Sequence, residues 1–231
     1  MSTILAIDTA TENCSAALFH NGQYYQESEL APQMHTKLIL PMIYKVIEAA
    51  NITLQDIDYV AYGHGPGSFT GIRIGASCAF GLAFGIDAKV QGVSNLKAMA
   101  LKAFDIAKDK DAIYVSSIDA RMSEVYLGIY KINECGALVP LIDECVLPYE
   151  KASQKINEIS DGYPLVVGSG TGCKLLKSLN LSDFSEILVD FPDASTIIKI
   201  ANMHVSDFVD VGDSQLAYVR NELKWNKVSL Q

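Results

Sequence analysis

Basic clusters, paired cysteines and long membrane-type runs are what this chain lacks. Its 231 residues carry 18 basic against 27 acidic side chains, a net charge of −9. No run of lysine or arginine interrupts that acidity. Unaided binding to nucleic acid is therefore disfavoured, because grip on phosphates rests on such clusters. The five cysteines, Cys14, Cys78, Cys135, Cys145 and Cys173, are scattered and include no Cys-x-x-Cys pair. That pattern predicts free thiols in a reducing compartment and no zinc site. No charged leader with a long apolar run opens the chain, and no apolar run reads as an uninterrupted lipid-facing helix, so the expectation is a cytoplasmic protein without a membrane span. What is present is apolar mass: 49% of residues, enough to build a core for one large domain or two small lobes.

The most distinctive stretch runs Gly63-His64-Gly65-Pro66-Gly67-Ser68-Phe69-Thr70-Gly71-Ile72-Arg73-Ile74-Gly75. It follows the apolar run Tyr59 to Tyr62 and leads into Ala76 to Phe84, so it reads as a strand, a tight turn and a helix. Glycine permits close backbone approach there, and Pro66 stiffens the turn. Thr70 is the predicted helix cap, with Phe69 and Ile74 spaced as a hydrophobic staple. The Walker A pattern fails because no Lys-Ser or Lys-Thr follows Gly71. The dinucleotide fingerprint fails because Thr70 stands where its third glycine belongs. Phosphate at the helix start stays open as an alternative; the favoured reading is a turn built for packing.

Small residues recur through that helix at Gly71, Gly75, Ala79 and Ala83, with Gly81 and Gly85 one face over. Such a column lets another helix approach closely. Ile72, Ile74, Phe80, Leu82 and Phe84 make the helix apolar nearly all round, which predicts burial by its own sheet or also by a second chain.

In chain order, Thr3 to Ile7 reads as a buried strand ending at Asp8. Ser15 to Phe19 follows, then an Asn21-Gly22 hairpin into Gln23 to Leu30. Leu38, Ile39, Met42, Ile43, Val46 and Ile47 repeat at helical spacing over His35 to Ala50, with Pro41 placed near the first turn. A strand over Lys89 to Val93 and a helix capped by Ser94 close the first half. The second half echoes it. Ile113 to Ile118 reaches Asp119, Glu124 to Ile132 follows, and Asn133 to Gly136 turns into Leu138 to Val146. Then come a helix over Tyr149 to Ile159, a strand over Leu165 to Val167, a helix over Gly172 to Leu179 and a helix over Ala194 to Phe208. The order βββα in both halves predicts a duplicated α/β architecture, with lobes at 1–109 and 110–231.

That plan resembles the actin-like ATPase (ASKHA) fold, here with a reduced second lobe. Ala6-Ile7-Asp8-Thr9-Ala10-Thr11, the glycine stretch, Asp119-Ala120-Arg121 with Glu124-Val125-Tyr126, and Tyr218-Val219-Arg220-Asn221-Glu222 together resemble the TsaB (YeaZ) family from one end to the other. The resemblance implies an accessory subunit, itself not an enzyme and needing no cofactor, in making threonylcarbamoyladenosine beside the tRNA anticodon. It implies a heterodimer with the paralogue TsaD, which carries the transfer chemistry, a ternary complex with the ATPase TsaE, and a homodimer when alone. It places the interface on the first two helices, with Leu38, Met42, Val46, Gly71, Gly75, Cys78 and Leu82 as candidates and their own sheet as the competing destination. Contact with tRNA is expected only through the complex, although Arg220, Asn221, Lys224, Trp225 and Lys227 form a small basic patch that can touch phosphates or stack on a base.

The rival reading is a nucleotide-dependent kinase or ATPase of the same superfamily. Asp8 and Asp119 end strands where the superfamily places metal-linked carboxylates, and Gly168-Ser169-Gly170-Thr171-Gly172 resembles its adenosine-side turn. Arg121 is a candidate for a phosphate or for pairing with an acidic neighbour such as Glu124. Against this, Thr9 to Asn13 has no glycine and carries Glu12, which repels phosphate. Where TsaD sets two metal-binding histidines on its first helix, this chain has His35 but Ile39. His20, His64 and His204 read as surface or turn residues. No Gly-x-Ser-x-Gly elbow and no nucleophile–base pair supports a peptidase.

Overall fold

Ile4–Asp8 (β1) lies at the centre of the first sheet, and every residue of it is buried. It pairs antiparallel with Asn13–His20 (β2), which pairs antiparallel with Gln23–Leu30 (β3). On its other side it runs parallel to Tyr59–Gly65 (β4), and that strand runs parallel to Lys89–Ser94 (β5). The computed structural model describes residues 2–214; the segment Tyr218 to Glu222, with Lys224, Trp225 and Lys227, lies outside them.

The second sheet repeats this plan strand for strand. Ile113–Arg121 (β6) is central, antiparallel to Glu124–Ile132 (β7), which pairs antiparallel with Leu138–Pro140 (β8). On the other side β6 runs parallel to Val166–Ser169 (β10), and β10 to Glu186–Val189 (β11). The orders β3-β2-β1-β4-β5 and β8-β7-β6-β10-β11 match in sequence and direction. The fold is the duplicated α/β architecture of the actin-like ATPases.

The strand expected over Leu138 to Val146 is two strands, because Pro140 has no N–H to continue the ladder. Cys145–Pro148 (β9) then pairs with the other half of β7. β11 escaped the sequence reading: four residues are too few to show a period.

Helices fill the layers between and outside the sheets. His35–Ala49 (α1) and Phe69–Ile86 (α2) cover the outer face of the first sheet, Ile39, Met42, Ile43 and Val46 meeting Leu5, Ile7 and Val60. Burying each such side chain contributes roughly 1.5–3 kcal/mol. Pro41 sits in the body of α1 rather than in its first turn. Tyr149–Ser160 (α4) and Thr171–Ser178 (α5) cover the outer face of the second sheet. Between the sheets lie Asn95–Ala107 (α3), capped by Ser94 as expected, and Ala194–Met203 (α6). α6 ends five residues before the expected Phe208, in a His204 whose φ of −131° and ψ of 51° leave the helix. Although α6 follows the second lobe in sequence, Ala194, Ile197, Ile198 and Ala201 pack on Ile4, Ala6, Ala17 and Ala61 of the first sheet. Val209 then pairs with Val90 through bonds of 2.8 and 2.9 Å at the β5 edge. By length and composition alone α2 is apolar enough to cross a bilayer; in this fold its inner face lies on the first sheet.

Candidate functional site

The glycine stretch closes over the end of β1. Gly67 lies against Ala10 and Gly71 against Thr9, so closely that a Cβ would come within 2.3 and 2.1 Å of their carbonyl oxygens. At Gly75 a Cβ would meet Thr9 Oγ1 at 2.6 Å. Ser68 N donates to Ala10 O at 2.7 Å, and Thr9 Oγ1 donates to Gly71 O at 2.7 Å. These are the reasons for small residues here: the turn is stitched to Thr9 and Ala10. The cap is Ser68, not Thr70. Ser68 is extended and its Oγ accepts from Gly71 N at 3.3 Å, which puts Thr70 inside the first turn. The staple is absent too: Phe69 opens the helix, is 66% exposed, and carries the Arg73 guanidinium 3.3 Å above its ring centre.

The same device recurs in the second lobe. Gly170 and Gly172 pack on Ser117, where a Cβ would lie 2.1 Å from Ser117 O and 2.2 Å from its Oγ. Thr171 Oγ1 accepts from Asp119 N at 3.2 Å. Gly168 sits in β10 beneath Phe184 and Ile187.

Of the five expected nucleotide-site residues, Asp119 and Arg121 line the cleft between the lobes, a hollow of about 1230 Å³. Asp8, Gly168 and Gly170 do not line it. Asp8 is wholly buried, with Oδ1 accepting from Asn95 Nδ2 at 2.7 Å and Oδ2 without a partner. Burial pushes its carboxyl up to about 7. Arg121 pairs with an acidic neighbour, Asp119: its Nη1 lies 3.2 Å from Asp119 Oδ2, and its backbone N–H donates to Asp119 Oδ1 at 2.9 Å. Glu12, Thr11, Ser68, Arg73 and Thr171 are among the other polar residues of its walls.

A second hollow, about 620 Å³, runs between α1 and α2 and is lined by Thr36, Leu40, Phe69, Ile74, Cys78 and Leu82 among others. Here the expected interface set divides. Cys78 and Leu82 line the hollow, and Leu38 is half-buried beside the core. Met42 and Val46 are core residues facing their own sheet, and Gly71 and Gly75 are sealed against Thr9, so these four are corrected to interior positions. On α1 and α2 the large apolar side chains that do reach the surface are Leu40, Tyr44, Phe69 and Phe84, exposed by 57–83%. Sequence periodicity finds the buried stripe and overlooks these. The available signal was Leu40 and Tyr44 one turn apart on the opposite face of α1.

His35 is buried and its Nε2–H donates to Thr11 O at 2.8 Å. His64 is half-buried near the end of β4 rather than in the turn, and burial pushes its ring down to about 4. Among the described residues no group of three or more His, Cys, Asp or Glu is placed to hold a metal ion. Ser68, the hydroxyl in the glycine turn, serves as a helix cap.

The family model for TsaD, tRNA N6-adenosine threonylcarbamoyltransferase, matches residues 27–214. The tRNA threonylcarbamoyladenosine biosynthesis protein TsaB of Escherichia coli (strain K12) is 38% identical over 233 residues, spanning 97% of each chain. Its counterpart from Haemophilus influenzae is 36% identical over 238 residues, 98% of this chain and 97% of that one. A solved structure from Pseudomonas aeruginosa, of an uncharacterized protein with similarity to peptidase YEAZ, has a TM-score of 0.84 at 31% identity and covers 95% of this chain and all of that one. With relatives of 36–38% identity matching nearly its whole length, the chain belongs to the TsaB (YeaZ) family, within the wider group of sequences that the TsaD model describes.

Proposed function

We propose that this chain is a non-catalytic subunit that seats its α1–α2 groove on TsaD. There it activates transfer of threonylcarbamoyl from threonylcarbamoyl-AMP to the adenosine beside the anticodon of tRNAs reading ANN codons. The observation that carries the reading is the groove itself: a 620 Å³ hollow lined by Leu40, Phe69, Ile74, Cys78 and Leu82, with exposed Tyr44 one turn beyond Leu40 and exposed Phe84 one turn beyond Gly81, on helices whose other faces already fill a core. A contiguous exposed apolar surface of this kind marks a protein interface. In the same reading TsaE joins the pair, the chain self-associates through the groove when TsaD is absent, and tRNA is met through the complex.

The absence of chemistry in this subunit is supported by the sealed β1 turn. Thr9 and Ala10 spend their carbonyl and hydroxyl groups on the glycine stretch, Asp8 is turned inward, and Glu12 and Asp119 add negative charge where a polyphosphate would lie.

The test is threonylcarbamoyl transfer to tRNA by TsaD and the other pathway enzymes, with and without this chain, alongside ATP turnover by the chain alone. The expected result is transfer that depends on both subunits, lost with Leu40→Asp, and no ATPase in isolation. Robust ATP hydrolysis by the isolated chain would replace this reading with the kinase or ATPase one.

A further inference from the structure

We infer that the partner seated on the α1–α2 groove also reaches across the cleft mouth to the tip of the β6–β7 hairpin, placing a carboxylate on Arg121 and an apolar side chain on Met122. The inference rests on the groove reading above and adds a second contact to it.

The first observation is the backbone of the tip. Arg121, Met122 and Ser123 are three consecutive non-glycine residues with φ of 64°, 54° and 60°. The left-handed region disfavours any side chain bearing a Cβ. A two-residue turn of this hand ordinarily uses Asn-Gly, and this chain does so at Asn21-Gly22, with φ of 49° and 82°. Met122 gains little among the described residues in return, since it is 84% exposed. A strained position that carries a large side chain away from the described residues points to an occupant beyond them.

The second observation is continuity. Phe69, Thr70, Arg73 and Ile74 line both the groove and the cleft. Whatever fills the groove abuts the cleft mouth, whose far wall is Asp119, Ala120, Arg121 and Met122.

The third is charge. The chain has only three arginines, Arg73, Arg121 and Arg220, and the first two line this one cleft. Asp119 fixes the Arg121 guanidinium from one side while the side chain stays 79% exposed. A guanidinium carries five donors and takes a further carboxylate in fork geometry. Glu12 and Asp119 on the same walls oppose a polyphosphate, while Ile118, Met122, Tyr126 and Phe69 suit a polypeptide. The occupant is therefore a partly apolar segment of the groove partner that brings a single carboxylate to Arg121.

The experiment measures equilibrium binding of the full chain to purified TsaD at low and high salt, with the thermal midpoint of each variant recorded. Met122→Gly removes the thioether and relieves strain, so its midpoint stays level or rises while binding weakens. Arg121→Gln weakens binding by about 5- to 30-fold at low salt and by less at high salt, as screening predicts. Leu40→Asp abolishes binding at either salt. If Arg121→Gln and Met122→Gly both bind within about twofold of the unaltered chain while Leu40→Asp does not bind, the hairpin contact is wrong and the groove reading stands. If Leu40→Asp also binds normally, both fall.

Discussion

Asn95 joins Asp8 to the glycine turn: its Nδ2 donates to Asp8 Oδ1 at 2.7 Å, and its Oδ1 accepts from Gly65 N at 2.8 Å. One amide thus ties the end of the central strand, the start of the inter-sheet helix and the turn that caps the cleft. The arrangement leaves a carboxyl in a dry place. Burial raises Asp8 to about 7, with the Asn95 bond pulling the other way, against an ordinary value of 3.8. Between those values the unfolded chain gives up the proton and the folded chain keeps it. Stability is accordingly lost as pH rises from about 4 to about 7 and is level above that, a change on the order of 4 kcal/mol. Asp8→Asn removes this slope. Urea unfolding of both proteins at pH 4.5, 6 and 8 measures it; parallel pH dependence in the two would refute the assignment.

The sealing of the turn makes opposite predictions for two glycines of one helix. Gly71→Ala drives a Cβ to 2.1 Å from the Thr9 carbonyl oxygen, which backbone cannot relieve cheaply. A loss of about 3 kcal/mol or more is expected, in line with other overpacked sites. Gly85 has nothing within 4 Å of its Cβ position, so Gly85→Ala gains roughly 0.4–1 kcal/mol by restricting the unfolded chain. Denaturant midpoints with unchanged slopes would check both. Equal effects would mean that the close approach to Thr9 is not what the glycines are for.

The duplicated plan and most element boundaries were legible because strand–Asp–strand–turn–strand recurs with ordinary local signals: Asn21-Gly22 for the hairpin, and Ser94 as a cap whose Oγ does accept from Lys97 N at 3.1 Å. The packing role of the glycines was legible from the failure of the phosphate motifs. The direction each side chain takes was not. A helix apolar on two faces, as α2 is, does not say which of Ala79 and Phe84 meets the sheet (they are 0% and 83% exposed), and Asp8 reads identically whether it points to solvent or inward. The return of α6 to the first sheet was equally hidden, because nothing local to Ala194–Met203 distinguishes the two sheets it lies between.

Val46 and Tyr44 stand two residues apart on α1 and face opposite ways, Val46 2% and Tyr44 67% exposed. Val46→Asp buries an unpaired charge among Ile39, Met42 and Ile43 and is expected to cost about 3–5 kcal/mol. Tyr44→Asp leaves stability within about 0.5 kcal/mol but weakens association with TsaD and with a second copy. Thermal melts paired with sedimentation separate the two effects. Intact association by Tyr44→Asp and Leu40→Asp together would place the interface elsewhere.

Asp193 and Lys102 provide the counterpart to Asp8. The Asp193 carboxylate lies 2.5 Å from Lys102 Nζ and caps α6 through Thr196 N at 2.8 Å. Burial works to raise this carboxyl, but Lys102 and the bonds from Lys102, Ser195 and Thr196 outweigh it and hold it below the ordinary range. A depressed carboxyl contributes stability above its unfolded value and loses that contribution as pH falls through its folded one. Asp193→Asn keeps a capping oxygen and removes the ion pair. With Lys102 38% exposed, solvent screening limits the expected loss at pH 7 to about 1–2 kcal/mol. The deficit should shrink below about pH 4, where the unaltered carboxyl also takes up its proton. Asp8→Asn and Asp193→Asn therefore diverge with pH in opposite senses, the first gaining on the unaltered chain and the second falling behind as pH rises. A deficit for Asp193→Asn that stays constant down to pH 3 would assign its effect to the cap alone and leave the Lys102 pair without weight in holding α3 to α6.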